Sequence, residues 1–251
     1  MNDIIKIEGL KFKYRRKGPY VLDGIDLAIK RGKVTAIAGL SGCGKSTLAL
    51  TLNGAIPQRV SGIMEGRVLV DGADTRQVSI SKLALKVGMV FQEPENQLFL
   101  PTVEDEVAFG PENLCLPPGE IKAIVGRILG VLGIEKLRGR NPSQLSGGQK
   151  HLVALAAVLS LDPEIIVLDE PAAELDEDNT RLVLDAVKRL KAAGKTVIIV
   201  EHNLKNLLTI ADTVLLMAGG KIVECIEGEM VDELLSGDSD EFLLSRIGSC
   251  V

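Results

Sequence analysis

The sequence predicts an α/β fold: a largely parallel sheet covered by helices, with a helical subdomain set into it. Two observations carry this. Short apolar, β-branched runs at 34–38, 87–91, 165–168, 196–200 and 214–217 alternate with helical stretches, as buried parallel strands joined by crossover helices do. From about 100 to 160 the strands give out and helix takes over, with Leu132 and Leu137 among charged residues and Pro and Gly at the joints. The chain has 251 residues, 46% of them hydrophobic, enough for a sizeable core. Aromatics are 3% and Trp is absent, so that core must be aliphatic.

Taken in order, residues 4–12 and 21–38 read as strands with turns, and 34–38 runs straight into Gly39. A helix follows Gly44, carries Leu48, Leu50 and Leu52, and ends near Gly54. Residues 66–71 read as a strand closed by an Asp71-Gly72 turn. Downstream, helices are expected at 178–193 and 203–210. The expected organisation is a single domain. Residues 1–92 and 163–235 form its core, 93–162 the helical subdomain and 236–251 a polar tail.

Net charge is −5 and Lys and Arg are scattered, so no basic stripe suggests nucleic-acid binding. Four cysteines, Cys43, Cys115, Cys225 and Cys250, form no CxxC pair and are expected as reduced thiols of a cytosolic protein. Met1-Asn2-Asp3 is not expected to open a secretory signal, and the longest apolar stretch, 152–161, is about half a membrane span. Any link to a membrane is expected to run through a partner.

Gly39-Leu40-Ser41-Gly42-Cys43-Gly44-Lys45-Ser46-Thr47 fits G-x-x-x-x-G-K-[ST] between an apolar strand and a helix. Glycines let the backbone curl so that successive N–H groups face phosphate oxygens, and the helix N-terminus adds positive potential. Lys45 is placed to reach the β- and γ-phosphates and the Ser46 hydroxyl to ligate Mg²⁺. This motif speaks only for a nucleoside triphosphate. A second apolar strand, 165–168, ends in Asp169-Glu170. Asp169 at the strand end can hold Mg²⁺, and Glu170 can orient and deprotonate an attacking water.

Between these two elements stands Leu145-Ser146-Gly147-Gly148-Gln149, at the start of a helical stretch. With it, essentially the whole chain resembles the ABC transporter ATPases. The resemblance implies a P-loop NTPase core with an antiparallel β portion near the N-terminus, and ATP and Mg²⁺ as ligands. It implies that Tyr14 stacks on adenine, that Gln92 senses Mg²⁺ and the γ-phosphate, and that His202 contacts the γ-phosphate. Leu175-Asp176 resembles the loop at a dimer interface. Ser146, Gly147, Gly148, Gln149 and Asp176 are then expected to meet the nucleotide bound by a second ATPase subunit, identical or a paralogue.

Two positions depart from the family pattern: His151-Leu152 where Gln-Arg is usual, and Glu174 beside the dimer loop. Neither removes a phosphate or Mg²⁺ contact, so activity is expected. Residues 91–113 look like the ATPases of energy-coupling factor importers, which take up vitamins, cobalt or nickel. That branch implies an integral membrane coupling protein and a substrate-binding membrane protein as partners, at the cytoplasmic face of the membrane. Leu98 and Phe99 are then candidates for the groove that receives the coupling helix. Two alternatives stand beside this. A soluble ABC ATPase of DNA repair or translation would carry coiled-coil insertions, basic faces or tandem cassettes, and none is expected from these residues. A regulatory ATP-binding subunit would not need both Glu170 and His202.

Overall fold

The computed structural model describes residues 3–173, 175–202, 207–228 and 230–231. Its strands are β1 (Asp3–Lys13), β2 (Leu22–Lys30), β3 (Val34–Ala38), β4 (Ile63–Val70), β5 (Ala73–Asp74), β6 (Val87–Val90), β7 (Ile165–Asp169), β8 (Thr196–Glu201), β9 (Thr213–Ala218) and β10 (Lys221–Glu227). Its helices are α1 (Lys45–Leu52), α2 (Ala55–Gln58), α3 (Ile80–Ala84), α4 (Val103–Asn113), α5 (Pro118–Leu132), α6 (Gly147–Leu159) and α7 (Glu177–Ala192).

Two sheets form. The smaller is antiparallel, in the order β2-β1-β4-β5. The larger runs β10-β9-β3-β8-β7-β6 and is parallel except for its β10 edge. Strands β3, β7 and β8 are buried along their whole length, which is why they read as continuous apolar runs rather than as alternating ones. Successive side chains still point to opposite faces, and so they feed two cores. Ile37, Ile165, Val167, Ile198 and Val200 pack with Phe12, Leu48 and Leu52 on the antiparallel-sheet side. Val34, Ala36, Ile166, Leu168, Val197 and Ile199 pack with Leu152, Leu155 and Val187 of α6 and α7 on the other.

The α/β class, the mainly parallel sheet and the N-terminal antiparallel portion are thus as the sequence predicts. The structure adds β5, α3 and β10. The last escapes a periodicity reading because it is an edge strand with alternating exposure, in the charged segment KIVECIE. Of the helix expected at 203–210, residues 203–206 lie outside the described residues. So do Glu174, Cys250 and the 236–251 tail.

Register determines where chemistry can occur. Ala38 of β3 lies opposite Glu201 of β8, Asp169 of β7 opposite Val200, and Val90 of β6 opposite Leu168. The parallel strands therefore end together. Their carboxyl ends set Gly39, Gln92, Asp169-Glu170 and Glu201-His202 along one rim, where open α/β sheets bind ligands.

Candidate functional site

The phosphate loop leaves β3 at Gly39 and enters α1 at Lys45. Gly44 has φ +107°, and a Cβ there would lie 2.7 Å from the Val21 carbonyl oxygen, so only glycine makes this entry. Because Gly44 caps α1 without a side-chain hydrogen bond, the first-turn amides are left for an anion. Lys45 is 4% exposed. Its Nζ donates to the carbonyl oxygens of Gly39 at 2.9 Å and Leu40 at 3.2 Å, which holds the ammonium inside the curl of the loop. Val21, Ser41, Gly42, Lys45, Gln92 and Glu170 are among the walls of a pocket of about 250 Å³. The Tyr14 hydroxyl shares a 2.9 Å hydrogen bond with Thr47 Oγ1, and the Tyr14 ring meets Phe12 edge-on.

On β7, Asp169 is 6% exposed and accepts a 3.1 Å hydrogen bond from the Ser46 hydroxyl. Burial pushes its carboxyl pKa above the ordinary value, against the pull of that hydrogen bond. A hydroxyl and a carboxylate are the oxygen donors that hard cations take. Among the described residues no cluster of three or more His, Cys, Asp or Glu could hold a metal by itself. The pair would fit Mg²⁺ only if its remaining ligands came from elsewhere, such as phosphate and water.

Glu170 departs from the strand at φ +48°. A non-glycine residue in that region costs of order 1 kcal/mol. The turn is braced by the Glu170 N–H donating to the Val200 carbonyl at 2.8 Å. Its carboxylate comes to 4.0 Å from Lys45 Nζ and 3.8 Å from His202 Nδ1. His202 Nδ1 also lies 3.0 Å from Glu201 Oε1, which accepts the His202 backbone N–H at 2.9 Å. Glu201 itself is 1% exposed, and its other oxygen has no hydrogen-bond partner among the described residues. No motif in the sequence marks Glu201. The available signal was an acid closing an apolar strand, the same pattern that marks Asp169.

Gln92 follows β6 and lines the phosphate pocket. The Gln97 side chain steadies this bend, accepting from the Phe91 N–H at 3.3 Å and donating to the Met89 carbonyl at 3.1 Å.

Residues 146–149 do not reach that pocket within one chain. Ser146 caps α6 in a reciprocal capping box with Gln149, and its hydroxyl donates to Asn179 Oδ1 at 3.2 Å. A Cβ on Gly148 would fall 2.5 Å from the same Asn179 oxygen, so this glycine sets how closely α6 meets α7. Asp176 caps α7 by accepting from the Asn179 N–H at 2.8 Å. Of the two departures, Glu174 is not described. Leu152, 2% exposed, packs into the helical core. His151 is 5% exposed and its Nδ1 is buried with no hydrogen-bond partner among the described residues.

A family model described as ABC transporter matches residues 22–173. A putative ABC transporter ATP-binding protein of Methanosarcina mazei is 42% identical over 246 residues, covering 98% of this chain and 41% of that protein. The energy-coupling factor transporter ATP-binding protein EcfA of Methanosarcina acetivorans is 45% identical over 222 residues, covering 88% of this chain and 78% of that one. The chain thus spans about two fifths of the length of the first curated relatives it matches. Among solved structures, CbiO1 of Clostridium perfringens, part of the ABC transporter complex CbiONQ, superposes with TM-score 0.84 at 34% identity over 100% of this chain and 98% of its own. An ATP-binding cassette of an ABC transporter in its ADP conformation superposes with TM-score 0.81 at 28% identity, over 98% of this chain and 99% of its own.

Proposed function

The chain belongs to the ABC transporter family, and on that premise we propose that it binds and hydrolyses ATP to power a membrane importer of the energy-coupling factor type, for a vitamin or a transition-metal ion. One observation carries the hydrolytic part. The Glu170 carboxylate stands between the Lys45 ammonium, at 4.0 Å, and the His202 imidazole, at 3.8 Å, on the wall of the phosphate pocket. A carboxylate there accepts the proton of a water attacking the terminal phosphate. Lys45 and the α1 amides balance the phosphate charge, and His202, held by Glu201, steadies the γ-phosphate from the end of the neighbouring strand β8. Tyr14 stacks on the adenine. Mg²⁺, held by Ser46 and Asp169 and sensed by Gln92, supplies charge neutralisation at the phosphates when bound.

Residues 146–149 and Asp176 serve a second ATPase subunit, identical or a paralogue. Their amides and helix terminus take the γ-phosphate that the other subunit binds, so ATP closes the pair and hydrolysis releases it. Two likenesses support the importer branch: the 45% identity to EcfA and the structural match to CbiO1. Among the described residues no helix is long and apolar enough to cross a membrane. The chain reaches the cytoplasmic face of the membrane through an integral coupling protein, whose cytoplasmic helix docks in the groove beside Leu98 and Phe99. A substrate-binding membrane protein completes the machine. No nucleic acid takes part.

Glu170→Gln tests the chemistry. The variant binds ATP, hydrolyses it at least about 100-fold more slowly, and elutes as a dimer with ATP and Mg²⁺. Normal turnover removes Glu170 from the base role. Recovery of the chain from its host together with two integral membrane proteins tests the branch. A chain that emerges alone and binds nucleic acid sinks it.

A further inference from the structure

We propose that Glu106 is a positioning residue whose carboxylate fixes the Phe99–Leu100 wall of the groove that receives the membrane partner's helix. This rests on the docking reading above. The groove, about 570 Å³, is lined on one side by residues 98–101 and on the other by residues 141–143. Phe99, 67% exposed, stands at its edge and meets Phe109 of α4 edge-on at 5.2 Å.

Residues 97–101 belong to no helix or strand. The Gln97 and Leu98 N–H groups donate to the Pro94 carbonyl at 2.9 and 3.0 Å and Pro101 has none to donate, which leaves the N–H groups of Phe99 and Leu100 in need of an acceptor. Glu106 supplies the acceptor. One carboxylate oxygen takes the N–H groups of both Phe99 and Leu100. The side chain is 3% exposed, and among the described residues no Lys, Arg or His pairs with it. A buried acid with two amide donors and no cation has a specific task, since burial alone disfavours it. Burial pushes its pKa up, and the two amides pull it back.

The opposite wall hangs from the same helical turn. Val103 and Glu104 donate their N–H groups to the carbonyls of Arg140 and Arg138 at 3.0 and 2.9 Å, and Arg138 pairs with Glu104 at 2.7 Å. Residues 138–140 lead directly into 141–143. The first turn of α4 therefore holds both walls, and Glu106 is the part of it that grips the apolar one.

The test uses the full chain with Glu106→Ala, Glu106→Gln and Glu106→Asp, and Phe99→Asp as a docking control. Three quantities are read: hydrogen exchange at the 99 and 100 amides, ATP hydrolysis by the purified chain, and the fraction of chain retained on washed host membranes. Glu106→Ala exchanges those amides about tenfold faster, hydrolyses ATP at the wild-type rate and loses membrane retention. Glu106→Gln keeps all three, because its amide oxygen still accepts both hydrogen bonds. Unchanged exchange in Glu106→Ala overturns the clamp. So does a Glu106→Gln variant that behaves like Ala, or retention that survives faster exchange. Should Glu106→Ala fail to fold, Glu106→Asp keeps the charge on an arm one methylene shorter and must show the same faster exchange. Retention that survives Phe99→Asp overturns the docking reading instead.

Discussion

His151 gives this protein a defined acid sensitivity, and His151→Leu removes it. The imidazole is 5% exposed on α6, with Nδ1 buried and unpartnered among the described residues. Burial drags its pKa from 6.5 down to about 4. The unfolded chain therefore takes up a proton near pH 6.5, while the folded chain does not until about pH 4. Between those values the unfolded state binds more protons, so stability rises with pH and is lost as pH falls. A gap of ~2.5 pH units at ~1.36 kcal/mol each caps the loss at about 3 kcal/mol, of which about 2 kcal/mol has gone by pH 5. Urea unfolding of wild type and variant at pH 7.5 and pH 5 measures it. Other titrating groups are common to both proteins and cancel in the difference. Wild type loses about 2 kcal/mol more than His151→Leu over that interval. Equal losses would refute a buried neutral imidazole.

Two further outcomes follow from close contacts around the phosphate and signature elements. Gly148→Ala drives a methyl group against Asn179, 2.5 Å from its Oδ1 and 2.6 Å from its Cβ, and costs about 1–3 kcal/mol. Gly147→Ala meets only the flexible end of Leu175, at 2.9 Å, so its thermal midpoint falls less, and equal midpoints contradict the packing. Cys43 lies inside the phosphate loop, and burial raises its thiol pKa against the pull of Lys45. Alkylation there is slow at pH 7, quickens as pH rises toward thiolate formation, is retarded by bound ATP, and abolishes ATP binding. Intact binding after confirmed Cys43 modification contradicts it.

The phosphate loop, the Asp169-Glu170 pair and the buried parallel strands were legible because each is local. A glycine spacing, or an apolar run ending in an acid, is written in consecutive residues. What the sequence hid depends on partners far away in the chain. Ser146 and Gly148 read as a loop-and-helix start, yet their close packing is set by Asn179, about thirty positions downstream. Glu106 reads as one acid among three in an acidic helix start, and only the fold of 99–100 back over α4 makes it an amide acceptor. Glu201 was hidden differently. Histidine is rare in this chain and so His202 stands out, although the buried acid before it is what holds the imidazole near Glu170.

The cavities share walls, and this constrains how a helix docked as proposed and a nucleotide bound as proposed would influence one another. Glu95 and Lys150, joined by an ion pair, line both the groove beside Leu98 and Phe99 and a second cavity of about 340 Å³. That second cavity is also lined by Gln92, Gly147 and His151, and Gln92 in turn lines the phosphate pocket. The segment from Gln92 to Leu98 therefore touches all three spaces, with Gln97 pinning it to the end of β6. A helix seated against Leu98 can shift Gln92 only by moving this braced bend, and a shift of α6 carries Lys150 and Gly147 together. Close-packed elements of this kind exchange between discrete arrangements rather than deforming smoothly. Coupling between groove and phosphate pocket accordingly needs no long chain of residues: one short bend and one ion pair span the distance.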